Sequence, residues 1–337
     1  MGNVRWGAIF LLACQVSWLH AETPDPRLQV YFDSVAKIRS FDVMVNETTK
    51  FHYKTERAAD QPLGQRVSKL THRKYLPSEV PAERSAATRQ VWEAATKRRR
   101  VEHDVTPNAN GAISIFNGKT VTAYNQAASF GTVAAQNPGQ RPLVHSSSRY
   151  DTLLGEIFLG GEYQEMFAKR QPVDTKEVDG DLLVTSPAQP GPMYPSCTFE
   201  LLLDKEHGFL PKKITVSSKG KIDFDVEVTE FRSLGDGVWV PIKSRFRDYL
   251  LAEQIDPVFP VHFLTTEVSI DVDRSAWNQP IPEETFHVLF PAGTGVLDEI
   301  NHARLTLSKD TDSDDIGGRK VEAEEYQQLN ANGGIVR

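Results

Sequence analysis

Alternating apolar and polar residues are the feature that most constrains the fold of this chain. The alternation recurs in five runs, at residues 199–203, 214–216, 222–228, 238–242 and 268–272. Each run places its apolar side chains on one face, as half-buried β-strands do. Because short turns connect most of the runs, the pattern predicts an antiparallel meander that covers helices, another sheet or a ligand.

Other elements are expected on the N-terminal side of this meander. Residues 27–39 carry apolar side chains at helical spacing, which predicts an amphipathic helix. Alternation begins directly after this helix and continues at residues 67–72 and 88–105, where we expect further strands. Residues 126–148 are rich in Ala, Gly, Ser, Asn and Pro and predict a long loop. The apolar spacing over residues 150–170 predicts either a pair of short helices or one interrupted helix.

Two dipeptides predict tight hairpins. Asn117-Gly118 and Asp179-Gly180 each lie between two alternating runs. Both pairs tolerate the positive φ angles that two-residue hairpin turns require, so each is expected to join two antiparallel strands.

The end of the chain differs from the meander. Residues from 301 onward are expected to form a polar, flexible tail with a weak helix at residues 323–329. Its run of acidic residues looks like a calcium loop, but Asp315 and Val321 stand where an EF-hand loop has Gly and Glu. We therefore divide the chain into a signal peptide (1–21), a main domain (22–300) and this tail (301–337).

The first 21 residues have the pattern of an export signal. Arg5 precedes an apolar run of about 14 residues that ends near Ala21, too short for a membrane-spanning helix of roughly 20 residues. Within this run, Leu11-Leu12-Ala13-Cys14 resembles a bacterial lipobox. Two outcomes stay open: cleavage after Ala21, which gives a diffusible protein, or lipidation at Cys14, which gives an anchored one.

Cysteine usage fits export to a bacterial periplasm. The chain has two cysteines, Cys14 and Cys197, and either processing route leaves Cys197 without an intrachain disulfide partner. Cys197 begins an apolar run and is expected to be a small buried side chain rather than a nucleophile. Export without disulfides is more typical of a periplasm than of an animal secretory route.

Charge and motifs exclude several functional classes. The net charge of −7 and the lack of a clustered basic face argue against a nucleic-acid partner. The basic run Lys97-Arg98-Arg99-Arg100 has two interpretations: ordinary solvated charges, or a contact for an anionic lipid headgroup. The sequence contains no zincin, Cys-x-x-Cys, Gly-x-Ser-x-Gly or phosphate-loop motif, so no cofactor, metal or catalytic residue is predicted.

The order of elements resembles the periplasmic lipoprotein-carrier superfamily of the LolA, LolB and LppX type. One helix runs into a long antiparallel meander, and helices are inserted midway. Five segments resemble this superfamily or its exported relatives: YFDSVAKIRSFDVMV, FNGKTVTAYN, FELLLDKEHGFLPKKITV, FRSLGDGVWVPIKSRF and NQPIPEETFHVLFPAGTGVLDEI. The resemblance covers residues 27 to about 300.

This resemblance implies an α+β, mainly antiparallel fold: an unclosed β-barrel, or curved meander, wrapped around the N-terminal helix and the inserted helices. It also implies an apolar cavity for acyl chains, closed in known carriers by an arginine for which Arg39, Arg57 and Arg66 are candidates by position. Six residues of the meander are candidates for the inner face of that cavity: Leu201, Leu203, Phe224, Val226, Val240 and Ile270. For each of them, plain core packing is the alternative.

The leading functional hypothesis is an exported, non-enzymatic carrier that buries the acyl chain of a lipid or lipoprotein. Its expected partners are that acyl chain and an envelope membrane protein able to open the cavity. Two alternatives stay open: an envelope-stress sensor or protein-interaction module on the same scaffold, and an exported hydrolase with a dispersed site.

Overall fold

The computed structural model describes residues 25–53, 83–103, 111–136, 174–189, 197–249, 261–317 and 323–328. The signal peptide with Cys14, the strand expected at residues 67–72 and the helices expected at residues 150–170 lie outside these ranges. The described residues form two α-helices, α1 (Pro26–Ala36) and α2 (Ser313–Gly317), and two 3-10 helices (Lys205–His207 and Glu283–Phe286).

Eighteen strands complete the described elements. They are β1 (Ser40–Tyr53), β2 (Glu83–Glu93), β3 (Arg99–His103), β4 (Ala112–Phe116), β5 (Thr120–Asn125), β6 (Phe130–Ala135), β7 (Asp174–Val178), β8 (Asp181–Gln189), β9 (Cys197–Asp204), β10 (Leu210–Ser218), β11 (Lys221–Gly235), β12 (Val238–Asp248), β13 (Val261–Trp277), β14 (Leu289–Phe290), β15 (Gly295–Asp298), β16 (Ala303–Leu307), β17 (Thr311–Asp312) and β18 (Ala323–Gln328).

Sixteen of these strands form one open sheet, in the order β18-β16-β15-β6-β5-β4-β3-β2-β1-β13-β12-β11-β10-β9-β8-β7. Every neighbouring pair is antiparallel except β6 and β15, which are parallel. The sheet does not close on itself, so the predicted mainly antiparallel half-barrel is confirmed. The remaining strands, β14 and β17, form a separate two-stranded ladder.

Helix α1 forms where the sequence predicts it and ends three residues earlier, at Ala36. Pro26 occupies the first turn, where its missing N–H costs nothing, and the Asp25 carboxylate accepts a hydrogen bond from the Arg27 backbone N–H at 2.9 Å. The Arg27 side chain also donates to this carboxylate and lowers the pKa of Asp25 to about 2.

The apolar face of α1 packs into the larger of two cores, here called the first core. Leu28, Tyr31 and Val35 of α1 are buried against the inner faces of β1 and of strands β8 to β13. The N-terminal helix therefore fills the concave side of the meander, as the superfamily resemblance implies. Cys197 lies in this core with 2% of its surface exposed, so its predicted burial is confirmed.

Both predicted hairpins are present. Asp179 and Gly180 join β7 to β8 with φ angles of 54° and 90°. The turn between β4 and β5 lies one residue later than expected: the Asn117 N–H donates to the Thr120 carbonyl, which places Gly118 and the next residue at its tip. Gly118 has a φ of 97°, which explains its place in the turn.

Two sequence-based assignments were wrong. The loop expected at residues 126–148 contains strand β6 (Phe130–Ala135), which pairs with β5 and β15. The small residues of β6 are typical of loops, but every second residue of its first four is buried in the folded sheet. The weak helix expected at residues 323–329 is instead strand β18, which pairs with β16. The tail predicted from residue 301 therefore includes strands β16 to β18 and helix α2.

A second core forms where residues 281–316, here called the C-terminal extension, fold over β2, β4, β5 and β6. Its buried side chains include Phe286, Val288 and Phe290 of the extension and Val91 of β2. Phe290 is fully buried and meets Tyr124 edge-on, with 5.2 Å between ring centroids. The Phe290 ring lies directly over Gly131, where a methyl group has no room.

We expect Gly131→Ala to destabilise the fold. An ideal Cβ at position 131 would lie 2.9 Å from Cζ of the buried Phe290 ring and closer still to its neighbouring carbon, so the ring or β6 must move. Overpacking of this kind costs about 1–3 kcal/mol of unfolding free energy, measurable by urea denaturation.

Gly295→Ala is the matched control for this prediction. A Cβ at position 295 meets the Phe130 ring at 3.4 Å, an ordinary contact, so a change of only about 0.5 kcal/mol is expected. Equal effects of the two substitutions would contradict the packing described for Phe290.

Candidate ligand-binding cleft

The cleft begins with a large bulge in β13. Across the β1–β13 ladder, Asp42 pairs with Ala276 and Met44 pairs with Asp271, so one residue of β1 stands opposite four residues of β13. The bulge is held by Ser275, whose hydroxyl donates to the Asp271 carbonyl at 2.5 Å and accepts from the Met44 N–H at 3.2 Å. The extra residues, 272–275, leave the plane of the ladder.

The neighbouring strand separates from β13 at the same level. Pairing between β12 and β13 ends at Lys243 and Ser269, although β12 continues to pair with β11 as far as Val238. Register shifts in β11 between Val228 and Gly235 increase the local twist of this hairpin. The outer half of the β11–β12 hairpin therefore diverges from β13, and the sheet splits.

A half-open cleft of about 590 Å³ lies at this split. Its walls come from β11, from the β13 bulge and the segment that follows it, and from the junction of α1 and β1. The lining residues are Arg39, Arg232, Leu234, Val272, Ser275, Ala276, Trp277, Asn278 and Gln279.

The floor of the cleft is apolar and continuous with the first core. Leu234, Val272 and Trp277 are half-buried and pack against that core. Behind Trp277 the buried Phe41 ring stacks on Trp92, with centroids 5.7 Å apart, and lies at the same distance from Trp277. The cleft therefore presents aromatic and aliphatic surface to any ligand that enters it.

The rim of the cleft carries positive charge. Arg39 and Arg232 are exposed, and neither guanidinium has an ion-pair partner among the described residues. The described lining contains no carboxylate. The rim therefore carries two positive charges that no carboxylate of the described lining neutralises, and the floor beneath them is apolar.

Asn278 fixes the junction that carries Arg39. Its side-chain oxygen accepts from the Arg39 N–H at 2.6 Å, and its amide donates to the Lys37 carbonyl at 3.0 Å. Its own N–H donates to the Ser40 carbonyl at 2.8 Å. Asn278 has a φ of 54°, a conformation that Asn tolerates better than most residues.

The six meander residues predicted to face a cavity are brought together in the first core. Leu201, Leu203, Val226, Val240 and Ile270 are buried there, and Phe224 is half-buried and stacks on Phe246 at 5.5 Å. The cleft floor packs against the same cluster but is lined by other residues of β11 and β13. That the six residues contact a ligand stays a prediction.

Outside the cleft, His207 pairs with the buried Asp204, with 2.9 Å between Nδ1 and Oδ2. The imidazole stacks on Phe231 and meets Trp239 edge-on, with ring centroids 4.4 Å and 4.6 Å apart. It therefore packs against both strands of the diverging β11–β12 hairpin. Within the described ranges, no hydroxyl or thiol hydrogen bonds to His207.

The basic run at residues 97–100 holds the C-terminal extension in place. Arg98, whose side chain is 9% exposed, pairs with Glu93 at 2.9 Å and with Glu283 of the extension, and its guanidinium lies over the Phe286 ring. The hydrogen bond from the Arg98 guanidinium, together with its charge, lowers the pKa of Glu283. Arg100 donates to two backbone carbonyls of the extension, at residues 285 and 287.

Both sequence interpretations of the basic run therefore need correction for Arg98 and Arg100. Neither side chain is a freely solvated charge, and neither is available to a lipid headgroup, because both are bonded within the chain. Glu283 lies 185 residues away in sequence, so no local pattern could reveal the pairing.

One group of described side chains could hold a metal ion. His287, Asp312 and Asp314 offer ligand atoms within 4.8 Å of one another. Their polar atoms already have partners: Nδ1 of His287 faces Asp312 at 3.4 Å, and Asp314 accepts from the Asn117 amide at 2.7 Å. These contacts connect the segment before β14 to β17, and α2 to the β4–β5 turn.

Comparison with known proteins gives likenesses of fold alone. No family model and no curated protein matches the chain. Among solved structures, a putative outer membrane lipoprotein-sorting protein domain from Vibrio parahaemolyticus is 9% identical, with a TM-score of 0.44, 77% of this chain covered and 95% of that chain. A DUF1329 family protein from Desulfovibrio piger is 10% identical, with a TM-score of 0.43 and coverages of 78% and 97%.

The lipoprotein LppX from Mycobacterium tuberculosis is a further similar structure, 8% identical, with a TM-score of 0.26 and coverages of 76% and 96%. Separately, no helix in the described part of the chain is long and apolar enough to cross a bilayer.

We expect Arg98→Met to loosen the C-terminal extension. The substitution leaves Glu93 and Glu283 without their shared cation, in a place where Arg98 itself is buried. Of the two contacts, the one with Glu93 is mostly buried, whereas Glu283 is largely exposed. Leaving the Glu93 carboxylate without its donor costs about 1–3 kcal/mol, which thermal or urea unfolding would detect. Arg84→Met, on an exposed part of β2, should change stability by less than about 0.5 kcal/mol.

We expect Asn278→Ala to release the backbone at the mouth of the cleft. Ala at a φ of 54° is strained, and the substitution removes the acceptor of the Arg39 N–H, so a loss of about 2 kcal/mol is expected. Amide exchange at Arg39 should accelerate in the variant. Gln279→Ala is the control, and equal acceleration there would contradict the role given to Asn278.

Proposed function

We propose that this protein is an exported, non-enzymatic carrier that binds the acyl chain of a lipid or lipoprotein. The observation that supports the proposal most directly is the cleft at the split between β12 and β13, whose apolar floor is continuous with the first core. An acyl chain is the simplest ligand that gains from such a floor, because each buried CH₂ contributes about 0.8 kcal/mol.

The size and openness of the cleft suit a ligand that enters and leaves. Its volume of about 590 Å³ lies within the roughly 300–1,000 Å³ of small-molecule sites. The diverging β11–β12 hairpin is bonded to β13 only as far as Lys243, so its outer half can move without breaking that ladder. We infer that a membrane protein of the envelope drives this opening when the ligand is transferred.

Export and anchoring belong to the same proposal. The signal-like segment at residues 1–21 supports export, and a cysteine content that allows no intrachain disulfide once this segment is processed supports a periplasmic location. Mass spectrometry of the mature N-terminus distinguishes a diffusible carrier cleaved after Ala21 from an acceptor anchored through Cys14.

We expect a filled cleft to reject an acyl ligand. The probe is a neutral fluorescent acyl ester, and Val272→Trp should weaken its binding by about tenfold or more because the indole occupies the floor. Ile222→Trp, at a surface position of β11 that is 47% exposed, is the control and should bind the probe like the original protein.

Two results would contradict the carrier proposal. The first is that solvent extraction of protein purified from its own host yields no acyl-containing molecule. The second is that the folded protein does not bind the neutral ester at micromolar concentration. Capture of a membrane protein without any lipid would instead support the interaction-module alternative.

A further inference from the structure

We propose that the cleft selects anionic amphiphiles, with Arg39 and Arg232 binding a carboxylate or phosphate headgroup above the apolar floor. This inference rests on the proposed function and specifies its ligand class. The role given to Arg39 is recognition of an anion, which differs from closing a lid.

The two arginines reach the cleft from different parts of the sheet. Arg39 lies between α1 and β1, on one side of β13, and its backbone is fixed by Asn278. Arg232 lies on β11, on the other side of β13, within the stretch of register shifts. An anion at the rim can therefore be contacted from two sides by chain segments that are far apart in sequence.

Several arginines of the described sheet have a carboxylate within ion-pair distance: Arg89 with Asp42 at 2.7 Å, Arg245 with Glu267 at 2.7 Å and Arg247 with Asp225 at 2.8 Å. Arg39 and Arg232 have no such partner among the described residues, and the described cleft lining offers no carboxylate. An anionic ligand would supply the counter-charge for both.

The chemistry of the pair suits a planar or tetrahedral oxyanion. A guanidinium presents N–H donors in a rigid fork that matches two oxygens of a carboxylate or phosphate. Two other polar side chains of the lining already have hydrogen-bond partners within the chain. The Ser275 hydroxyl bonds backbone atoms of Asp271 and Met44. The Asn278 amide bonds backbone atoms of Arg39 and Lys37. The guanidiniums are therefore the main free donors of the described rim.

Charge and apolar surface are arranged in the order that an amphiphile requires. The exposed guanidiniums stand at the rim, while half-buried Leu234, Val272 and Trp277 form the floor toward the first core. A headgroup can stay at the solvent edge while the chain lies on aromatic and aliphatic surface. A free inorganic anion would gain nothing from this floor, so the site favours a charged lipid over phosphate alone.

The test compares three ligands with the same chain: dodecanoate, dodecyl phosphate and neutral 1-dodecanol. Each competes with the neutral fluorescent acyl ester on the full mature protein. We expect the two anions to bind about tenfold or more tightly than the alcohol, as hydrogen bonds to charged groups allow. Which anion binds better identifies the headgroup, and inorganic phosphate alone should not displace the ester.

The double variant Arg39→Gln/Arg232→Gln should lose this preference. We expect about a tenfold loss for the anions and unchanged affinity for the alcohol and the ester. Arg84→Gln/Arg304→Gln, at two exposed positions outside the cleft walls, is the charge-matched control and should keep the preference. Circular dichroism establishes that both variants are folded.

The outcomes separate this inference from the proposed function. If the alcohol binds the original protein as tightly as the anions, or if the double variant keeps the preference, the headgroup inference is wrong and the carrier proposal stands. If neither the ester nor any of the three ligands binds the folded protein, the carrier proposal fails and the headgroup inference fails with it.

Discussion

The antiparallel pairing of β1 with β13 is the contact on which the rest of the structure depends. It joins residues about 220 positions apart, from Phe41 with Trp277 to Tyr53 with Val261. On one side of this ladder lie β2 to β6, and on the other lies the meander β12 to β7. Because β1 also follows α1 directly, the same strand sets where the helix packs in the first core. Bringing such distant residues together costs loop-closure entropy, and the buried contacts in both halves of the sheet must offset that loss.

The C-terminal extension stabilises the half of the sheet that α1 does not cover. Parallel pairing of β15 with β6 satisfies a strand that would otherwise be exposed at a sheet edge. Phe290 fits over Gly131, and Arg98 joins the β2–β3 turn to the extension through Glu283. The sheet is therefore covered by two unrelated elements, a helix at one half and an extension at the other.

The sequence was most informative where one element carries its own signal. Helix α1 and strands β9 to β13 follow directly from apolar periodicity, because half-buried elements need that pattern wherever they lie. Strand β6 was missed because its glycine resembles loop composition. Gly131 leaves room for the ring of Phe290, which is 159 positions away in the sequence. The cleft was also missed: Val268, Ile270 and Val272 alternate without interruption, although β13 bulges directly after Asp271. Asn278, which follows the bulge, has a positive φ, but a single Asn in a sequence is not enough to predict that conformation.

The split beside β13 creates unpaired strand segments, which in most proteins invite pairing with another chain. Arg232 on β11 and Arg39 beside β1 place positive charge next to these segments. Charges of this kind oppose the entry of a further β-strand, since a strand would have to bury them unpaired. An anionic amphiphile of the kind proposed would meet no such penalty, because its headgroup would pair the guanidiniums and its chain needs no backbone hydrogen bonds. The same two side chains would then exclude an added strand and admit the proposed ligand, so the cleft could stay open beside the unpaired strand segments of the described sheet.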